Sequence, residues 1–342
     1  MPHPPWHPES LANRLPFLRA RGALTSATRA WFTAQGYTEV ETPCLVPVPG
    51  MEVHLHAFHS DFVPHLGAGT RRTLWLRTSP ELALKRLLVA GAGPVFELAR
   101  VWRNGEVSPR HAPEFTMLEW YRPGLAFAGM MDEAEAYIRA VCPALVAHQG
   151  TDCDLSKPFE RLSMAEAFAR HCNGLDILAT EGDTQRLHAA ATAAGLPPRA
   201  EEEWEDLFFR LLLERIEPQL GRGRATFLTH WPTPQAALAR RDPADPRAAL
   251  RFELFVAGLE LANAFDELTD PAEQRCRFEH DVAERRRIHG AEGWDVDEDF
   301  LQALQHGMPS GSGIALGFDR LAMLAAGARS IEDVQWLPFA GS

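Results

Sequence analysis

The sequence predicts an α+β fold in which helices flank a mostly antiparallel sheet. Residues 10–35 carry apolar side chains at helical spacing, and Gly36 stands where such a helix would end. The runs VFELARVW and EFTMLEWY, within residues 95–121, are typical of two strands joined by a proline-containing loop. The run RFELFVAGLELANAF contains Ala257-Gly258, and a two-residue turn there would fold the run into a second antiparallel pair.

The composition fits a globular protein. With 342 residues, of which 46% are hydrophobic, the chain can bury one large core or two moderate ones. No window reaches the roughly eighteen consecutive apolar residues of a membrane helix, and the start MPHPPWHPES lacks the pattern of a signal peptide. We therefore expect a cytoplasmic protein that is neither exported nor anchored to a membrane.

Cysteine usage and net charge narrow the choice of partners. The 5 cysteines are scattered without any CxxC spacing, which predicts reduced thiols rather than a cysteine metal site. The formal charge of -12 argues against a broad nucleic-acid surface, because such surfaces work by neutralising phosphates. A local basic pocket remains compatible with this charge.

The remaining elements follow from turn residues and periodicity. YTEVETPCLVP is extended but broken by Pro43 and Pro47, which favours an edge strand. LWLRTSPELALKRLLVAG predicts a strand and then a helix that begins at Ser79-Pro80 and ends at Gly91. Residues 125–220 are mainly helical in pattern, and we interpret them as an insertion that packs on the sheet of a single domain spanning residues 1–342. Strand patterns return in ATFLTHWP and SGIALGF.

Three stretches carry candidate chemistry. In the first, WRNGEVSPRHAPEFTMLEWY, antiparallel pairing of the flanking strands would bring Arg103 and the loop cations to one place. In the third, GSGIALGFDRLAMLAAG, helix amides and the guanidinium of Arg320 together suit a polyphosphate. Ordinary close packing is the alternative explanation for the glycines at 311, 313 and 317.

The second stretch is the hairpin around Ala257-Gly258. Strict alternation puts Phe255 opposite Glu260 and Glu253 opposite Ala262, so the two glutamates share one face. Unpaired carboxylates at that distance would repel, and Mg²⁺ bridging to phosphate oxygens would relieve the repulsion. A simply solvated face is the alternative, and Asn263 could join this face only through a bulge.

The extended segment at 36–45, the first stretch and the third stretch resemble, in this order, the three signature motifs of class II aminoacyl-tRNA synthetases, and the hairpin resembles that of the lysyl branch. GYTEVETPCL is similar to motif 1, with Pro43 as its interface proline; RVWRNGEVSPRHAPEFTMLEWY resembles motif 2, and GIALGFDRLAML resembles motif 3. The resemblance covers residues 10–340. It implies the class II catalytic core as the fold, and a homodimer built on motif 1.

Only 35 residues precede Gly36, whereas lysyl-tRNA synthetases place an OB-fold before motif 1. We therefore expect no anticodon-binding module and no tRNA partner. A core of this kind resembles the family of bacterial ligases that modify elongation factor P. The resemblance implies activation of (R)-β-lysine, or of lysine, with ATP and Mg²⁺ as an aminoacyl-adenylate, and transfer to the ε-amine of one lysine on that factor.

Matching motif positions implies roles for individual residues. Arg103 and Arg320 take the catalytic roles: Arg103 contacts the α-phosphate and the acyl oxygen, and Arg320 holds the outer phosphates together with His111. Phe115 stacks on adenine. The residues expected at ATP are Arg103, Asn104, Gly105, Glu106, His111, Phe115, Glu260, Leu261, Gly317 and Arg320. Those expected at the amino-acid substrate are Ser79, Pro80, Glu81, Tyr121, Asn263 and Glu267, and those expected at Mg²⁺ are Glu253 and Glu260.

The sequence departs from the family pattern at three places. Gly105 replaces the glutamate that reaches the adenine edge, and Ala112 replaces an asparagine. We expect Glu106 to swing inward in compensation, since Gly105 lets the backbone shift; stacking on Phe115 alone is the alternative. Ser79 stands where lysyl-tRNA synthetases usually carry alanine. A tRNA-charging enzyme, a free-standing amino-acid ligase and a non-catalytic amino-acid sensor remain open as other functions.

Overall fold

The computed structural model describes residues 3–65, 69–290 and 293–339. The chain forms two compact units: unit 1 comprises Met1–Leu125 and Thr269–Ser342, and unit 2 comprises Ala126–Leu268. The single domain with an insertion remains a prediction. No helix in the described ranges combines the length and apolar character that crossing a bilayer requires.

The helices are α1 (Pro8–Ala34), α2 (Glu81–Val89), α3 (Phe127–Val141), α4 (Met164–His171), α5 (Thr184–Ala193), α6 (Trp204–Leu211), α7 (Pro271–His289), α8 (Glu298–Gly307) and α9 (Phe318–Ala326). The strands are β1 (Thr38–Glu39), β2 (Leu45–Val46), β3 (His59–Phe62), β4 (Arg72–Leu76), β5 (Val95–Trp102), β6 (Glu114–Pro123), β7 (Leu145–His148), β8 (Thr151–Asp154), β9 (Glu160–Ser163), β10 (Thr226–Pro232), β11 (Ala248–Val256), β12 (Leu259–Asp266) and β13 (Gly311–Gly317).

Unit 1 contains the order β1-β5-β6-β13, in which only the β1–β5 pair is parallel. The predicted pairing of residues 95–102 with residues 114–121 is confirmed, from Val95 opposite Tyr121 to Trp102 opposite Glu114. The proline-broken segment forms only the two-residue strands β1 and β2, which confirms the predicted edge position: β1 is the outermost strand of this sheet and β2 of a small sheet, β2-β4-β3.

Helices α1 and α2 begin and end within two residues of the predicted limits. Helix α1 is capped by His7, whose side chain accepts a hydrogen bond from the Glu9 amide, and it is followed by Gly36 at φ 81°. Its buried Phe32 stacks on Phe96 of β5 at 4.7 Å between ring centroids. Helix α2 begins directly after Pro80 and is followed by Gly91 at φ 85°, a conformation that costs glycine little.

Unit 2 holds the order β12-β11-β10-β9, with β9 and β10 parallel and the other pairs antiparallel. Residues 125–220 contain α3–α6, as expected from the helical pattern, but they also contain β7, β8 and β9. These four-residue strands were missed because segments such as TDCD and ERLS have little intrinsic preference for a strand.

The core of unit 2 joins these helices to its strands. Phe208 of α6 stacks between Trp204 and Phe168, at 4.9 and 5.5 Å between ring centroids. Trp231 of β10 and Phe255 of β11 belong to the same buried cluster. The helical segment therefore packs on the strands of its own unit.

Candidate active site

The β5–β6 pair of unit 1 places Arg103 beside Phe115. The Arg103 amide donates to the Pro113 carbonyl at 3.0 Å, which closes the loop just beyond β5. The guanidinium then lies 5.4 Å from the Phe115 ring centroid, and its Nε is buried without a hydrogen-bond partner among the described residues. A buried donor of this kind has its hydrogen-bonding capacity available for an anionic ligand.

His111 joins the motif 2 loop to α9. Arg320 Nη2 lies 2.7 Å from His111 Nε2, and Ser108 Oγ lies 2.7 Å from His111 Nδ1. Burial first, and then the charges of Arg320, Arg110 and Arg103, lower the pKa of His111 to about 4. The imidazole is therefore neutral at physiological pH, so that Nε2 accepts from Arg320 while Nδ1–H donates to Ser108.

These contacts bring Arg320 of α9 to the loop histidine, whereas the predicted convergence of Arg103 with the loop cations stays a prediction. Three arginines act on one neutral histidine, and such a concentration of positive charge favours a polyanion. Because His111 Nε2 already accepts a hydrogen bond from Arg320, the simplest role of His111 is to orient the Arg320 guanidinium.

The loop that follows Arg103 has the backbone that Gly105 permits. Gly105 has φ 82°, and a Cβ there would meet no atom within 4 Å, so the conformation rather than space requires glycine. The exposed Asn104 donates its amide hydrogen to the His56 carbonyl at 2.7 Å. Glu106 is half-buried and Ala112 is buried. The inward swing of Glu106 stays a prediction.

Close packing requires one glycine of β13, Gly311, but does not require Gly317. A Cβ at Gly311 would collide with the Arg122 carbonyl, so close packing on β6 explains this glycine. A Cβ at Gly317 would meet only the Arg320 side chain, at an ordinary 3.6 Å. Packing therefore does not require Gly317, which opens α9 next to Arg320, and the role predicted for it as a close wall for a ligand is left open.

The start of α2 brings Ser79, Glu81 and Tyr121 together around one residue that sequence reasoning missed, Glu119. Ser79 Oγ donates to Glu119 Oε1 at 2.5 Å, and the Tyr121 hydroxyl donates to Glu119 Oε2 at 3.1 Å. The Glu81 amide donates to Ser79 Oγ at 3.0 Å, and Glu81 Oε1 pairs with Lys85 Nζ at 2.5 Å. Pro80 lies between Ser79 and Glu81 as the first residue of the helix turn.

Glu119 is fully buried, and burial, followed by the charge of Glu81, raises its pKa to about 8. A cation that binds beside Glu119 would favour the ionised form of this carboxyl group. The signal that could have revealed it is the alternation of β6, in which Glu119 has the same parity as Tyr121 and is the charged residue within an apolar run.

In unit 2 the hairpin turn at Ala257-Gly258 is confirmed, with φ of 51° and 76° at these residues and Val256 opposite Leu259. Phe255 lies opposite Glu260 as predicted, but Glu253 lies opposite Asn263 instead of Ala262. The expected register was wrong because β12 contains one extra residue at the bulge near Leu261.

The bulge changes the site, because it returns Asn263 to the face that carries Glu253 and Glu260. Beyond it, Glu260 and Asn263 are both half-buried, while the intervening Leu261 and Ala262 are buried. Asn263 therefore joins the face of the two glutamates through a bulge, as the alternation of the sequence requires. Glu267, just after β12, is buried at 2% exposure.

Arg251 is the second residue that sequence reasoning missed. Its Nη2 donates to Glu253 Oε1 at 2.6 Å, its Nε donates to Asn263 Oδ1 at 3.0 Å, and its guanidinium lies 3.9 Å from the Trp231 ring centroid. The expectation that Glu253 is unpaired was therefore wrong. Arg251 and Glu253 are two residues apart in β11, so their side chains lie on the same face of the strand. This alternation is the signal that could have revealed Arg251.

The electrostatics of this face still favour a cation. Burial first, and then the charge of Glu260, raise the pKa of Glu253 to about 8, against the opposing effect of Arg251. A divalent ion would favour the ionised form of both carboxylates. Carboxylate oxygens are also the ligands that Mg²⁺ prefers, so the donor set fits this ion.

Comparison with known proteins agrees with this geometry. A sequence profile of the tRNA synthetases class II (D, K and N) matches residues 12–340. A Klebsiella pneumoniae (strain 342) protein named elongation factor P--(R)-beta-lysine ligase is 42% identical over 331 residues, which cover 96% of each chain. Its namesake from Salmonella schwarzengrund is 41% identical over the same shares. By this match and by the motif geometry described above, the chain belongs to the class II tRNA synthetase family.

Proposed function

We propose that this protein is an ATP-dependent ligase that activates (R)-β-lysine, or lysine, as an aminoacyl-adenylate and transfers it to a lysine ε-amine on elongation factor P. The observation that carries the proposal is the 42% identity, over 96% of both chains, to a relative named for that reaction. The arginine cluster of unit 1 supports an ATP site, and the carboxylates around Ser79 support a substrate with two ammonium groups.

In the activation step, the residues of unit 1 bind ATP. Arg103 contacts the α-phosphate and the acyl oxygen, where negative charge grows as the carboxylate attacks, and its buried Nε supplies a donor. Arg320, oriented by His111, holds the outer phosphates, and Phe115 stacks on adenine. Asn104, Gly105 and Gly317 line the nucleotide.

For residues of unit 2 we propose roles that follow from the family resemblance. Glu253 and Glu260 hold Mg²⁺, which when bound neutralises phosphate charge and orients the outer phosphates. Leu261 gives the nucleotide an apolar wall, while Asn263 and Glu267 contribute to binding of the amino-acid substrate. Arg251 holds Glu253 and Asn263 in place through its two hydrogen bonds.

The carboxyl groups around Ser79 support a diamine as the substrate. An ammonium group beside Glu81, Ser79 and Tyr121 favours ionisation of Glu119, whose pKa of about 8 leaves it largely protonated before the ligand arrives. Substrates with an apolar side chain offer no such compensation. We assign to the Ser79 hydroxyl the shifted amine of β-lysine, because lysyl-tRNA synthetases usually carry alanine at this place.

The test is to incubate the purified protein with ATP, Mg²⁺ and labelled β-lysine or lysine, with either elongation factor P or total tRNA as acceptor. We expect label on elongation factor P and none on tRNA. Label on tRNA alone would establish the tRNA-charging alternative, which the family profile favours. Binding of β-lysine without any exchange of pyrophosphate into ATP would establish an amino-acid sensor.

Glu106→Ala should raise the Michaelis constant for ATP about tenfold, the effect of one charged hydrogen bond, and should reduce discrimination between ATP and GTP. The reason is that Gly105, at φ 82°, lets the half-buried Glu106 take over the contact to the adenine edge. Pyrophosphate-exchange kinetics with both nucleotides measure this, and the β-lysine affinity serves as the internal control. Unchanged ATP kinetics would leave adenine recognition to Phe115 and the backbone.

We also propose a homodimer assembled through the motif 1 segment. The short strands β1 and β2 are outermost in their sheets, and Leu45 of β2 is 46% exposed, so this edge suits coverage by a second copy. Light scattering at micromolar protein should give twice the mass of the 38.0 kDa chain. A mass of one chain would reject the dimer.

A further inference from the structure

The segment that follows motif 1 is held by two side chains from the C-terminal part of unit 1. Arg285, a buried residue of α7, donates from one Nη1 to three carbonyl oxygens, and its guanidinium lies 3.9 Å from the Trp294 ring centroid. The Trp294 indole in turn donates to the Gly50 carbonyl. The three carbonyls belong to Glu52 at 3.0 Å, Val53 at 3.0 Å and Leu55 at 2.8 Å. This clamp fixes the backbone on both sides of the Glu52 side chain.

Glycine at position 50 shows where the Glu52 carboxylate lies. A Cβ at Gly50 would collide with Glu52 Oε2 and, at 2.6 Å, with Thr78 Oγ1. The carboxylate therefore occupies the space that a side chain at position 50 would need, and it lies beside the residue that precedes Ser79. Any larger residue at position 50 would displace it.

Backbone hydrogen bonds bring the segment of Glu52 next to Arg103. The Asn104 amide donates to the His56 carbonyl at 2.7 Å, and the Trp102 amide donates at 3.0 Å to the carbonyl of Arg77, the residue before Thr78.

The pKa of Glu52 is raised by burial first and then by the charge of Glu81, while Arg103 and Arg285 lower it. The pKa of Glu119 is likewise raised by burial and by the charge of Glu81. Glu119 is fully buried, whereas Glu52 is half-buried.

Transfer to a lysine poses a problem that transfer to a ribose hydroxyl does not. A lysine ε-amine has a pKa of about 10.4 and is an ammonium ion at neutral pH, without a lone pair for attack. A base near the acyl carbon must remove one proton before the new bond can form. In the proposed function, on which this inference rests, Arg103 marks the position of that carbon.

We propose that the Glu52 carboxylate is the general base of the transfer step. It takes one proton from the ε-ammonium of the acceptor lysine, and the freed lone pair attacks the acyl carbon of the adenylate. The carbon–nitrogen bond forms, the bond from the acyl carbon to the phosphate oxygen breaks, and AMP leaves with that electron pair. The second proton leaves the amide nitrogen for solvent, and the half-buried Glu52 returns its own proton there.

The environment of Glu52 suits this task. A carboxylate whose pKa is shifted toward neutrality is a stronger base than an ordinary one, and burial together with the adjacent Glu81 produces that shift. Arg285 and Trp294 contact only backbone carbonyls of this segment, so neither of them occupies the carboxylate oxygens of Glu52. Glu81 already has a cationic partner in Lys85, at 2.5 Å, so Glu52 is the carboxylate that remains to accept the proton.

The experiment uses the full-length protein and its Glu52→Gln variant, which keeps the shape of the side chain and removes its basicity. Pyrophosphate exchange with β-lysine measures activation, and a single-turnover reaction of preformed adenylate with elongation factor P measures transfer. A third reaction replaces elongation factor P by hydroxylamine, an amine that is largely uncharged at neutral pH and needs no base. The matched control is Glu279→Gln, which changes an exposed carboxylate of α7.

We expect Glu52→Gln to retain pyrophosphate exchange and reaction with hydroxylamine within about twofold, and to slow transfer to elongation factor P about 100-fold or more, as loss of a general base does. The control should match the unmutated protein in all three reactions. An equal loss of exchange and transfer would overturn the proposal in favour of ammonium binding or structure, and unchanged transfer would overturn it outright. If the unmutated protein itself fails to exchange or transfer, the proposed function fails instead.

Discussion

Replacing Arg103 by alanine should lower the rate of pyrophosphate exchange by about 100-fold to 1,000-fold, the range found when one positioned donor to a developing charge is removed. Arg103 is held at the end of β5 by the hydrogen bond from its amide to the Pro113 carbonyl, and its guanidinium carries a buried donor. In the proposed activation step the negative charge grows next to this group. Lysine at the same position should recover only part of the rate, since it lacks the planar fork.

Arg100→Ala is the matched control for Arg103→Ala. Arg100 lies on β5, three residues before Arg103, but its side chain is 53% exposed and its pairing with Glu114 is long, at 3.8 Å. Such a surface pair contributes little to stability, and the residue has no part in the proposed reaction. Thermal unfolding of both variants distinguishes a lost contact from a lost fold. Equal exchange rates for Arg103→Ala and Arg100→Ala would remove Arg103 from the catalytic role.

Glu267→Gln should weaken binding of β-lysine by about 1.5 to 3 kcal/mol, a factor of roughly 10 to 150, as expected for a hydrogen bond between charged partners. The substitution keeps the shape of a residue that is 2% exposed and removes only its charge. Calorimetric titration with β-lysine and with ATP measures both affinities, and we expect ATP binding to stay unchanged.

Glu214→Gln, a substitution at the 49%-exposed partner of Arg199, is the control in unit 2. A loss of ATP affinity with unaltered amine binding in Glu267→Gln would contradict the role proposed for Glu267. A loss of both would indicate a general disturbance of unit 2, which the unfolding transition would reveal.

Much of the fold could be predicted because local signals determine it. The ends of α1 and α2 follow from Gly36, Ser79-Pro80 and Gly91, and the hairpins follow from two apolar runs separated by a short turn. The class II family was also recognisable from its three motifs in order. These features depend on residues that are close in sequence.

The parts that could not be predicted depend on pairing between distant residues. The alternation of LELANAFD does not show where β12 carries its extra residue, so the register around Glu253 came out one residue off. Glu119 and Arg251 each lie at the centre of a hydrogen-bonded group that forms only when the strands are assembled. Glu52 acquires its position from the contacts of Arg285, which is more than two hundred residues away in sequence.

The intact mass of elongation factor P after incubation with this protein, ATP, Mg²⁺ and β-lysine tests the central claim most directly. The account predicts an increase by the mass of one β-lysyl group, located by fragmentation on a single lysine and absent when that lysine is replaced by arginine. Elongation factor P of unchanged mass, in a reaction that consumes ATP and charges tRNA, would contradict it.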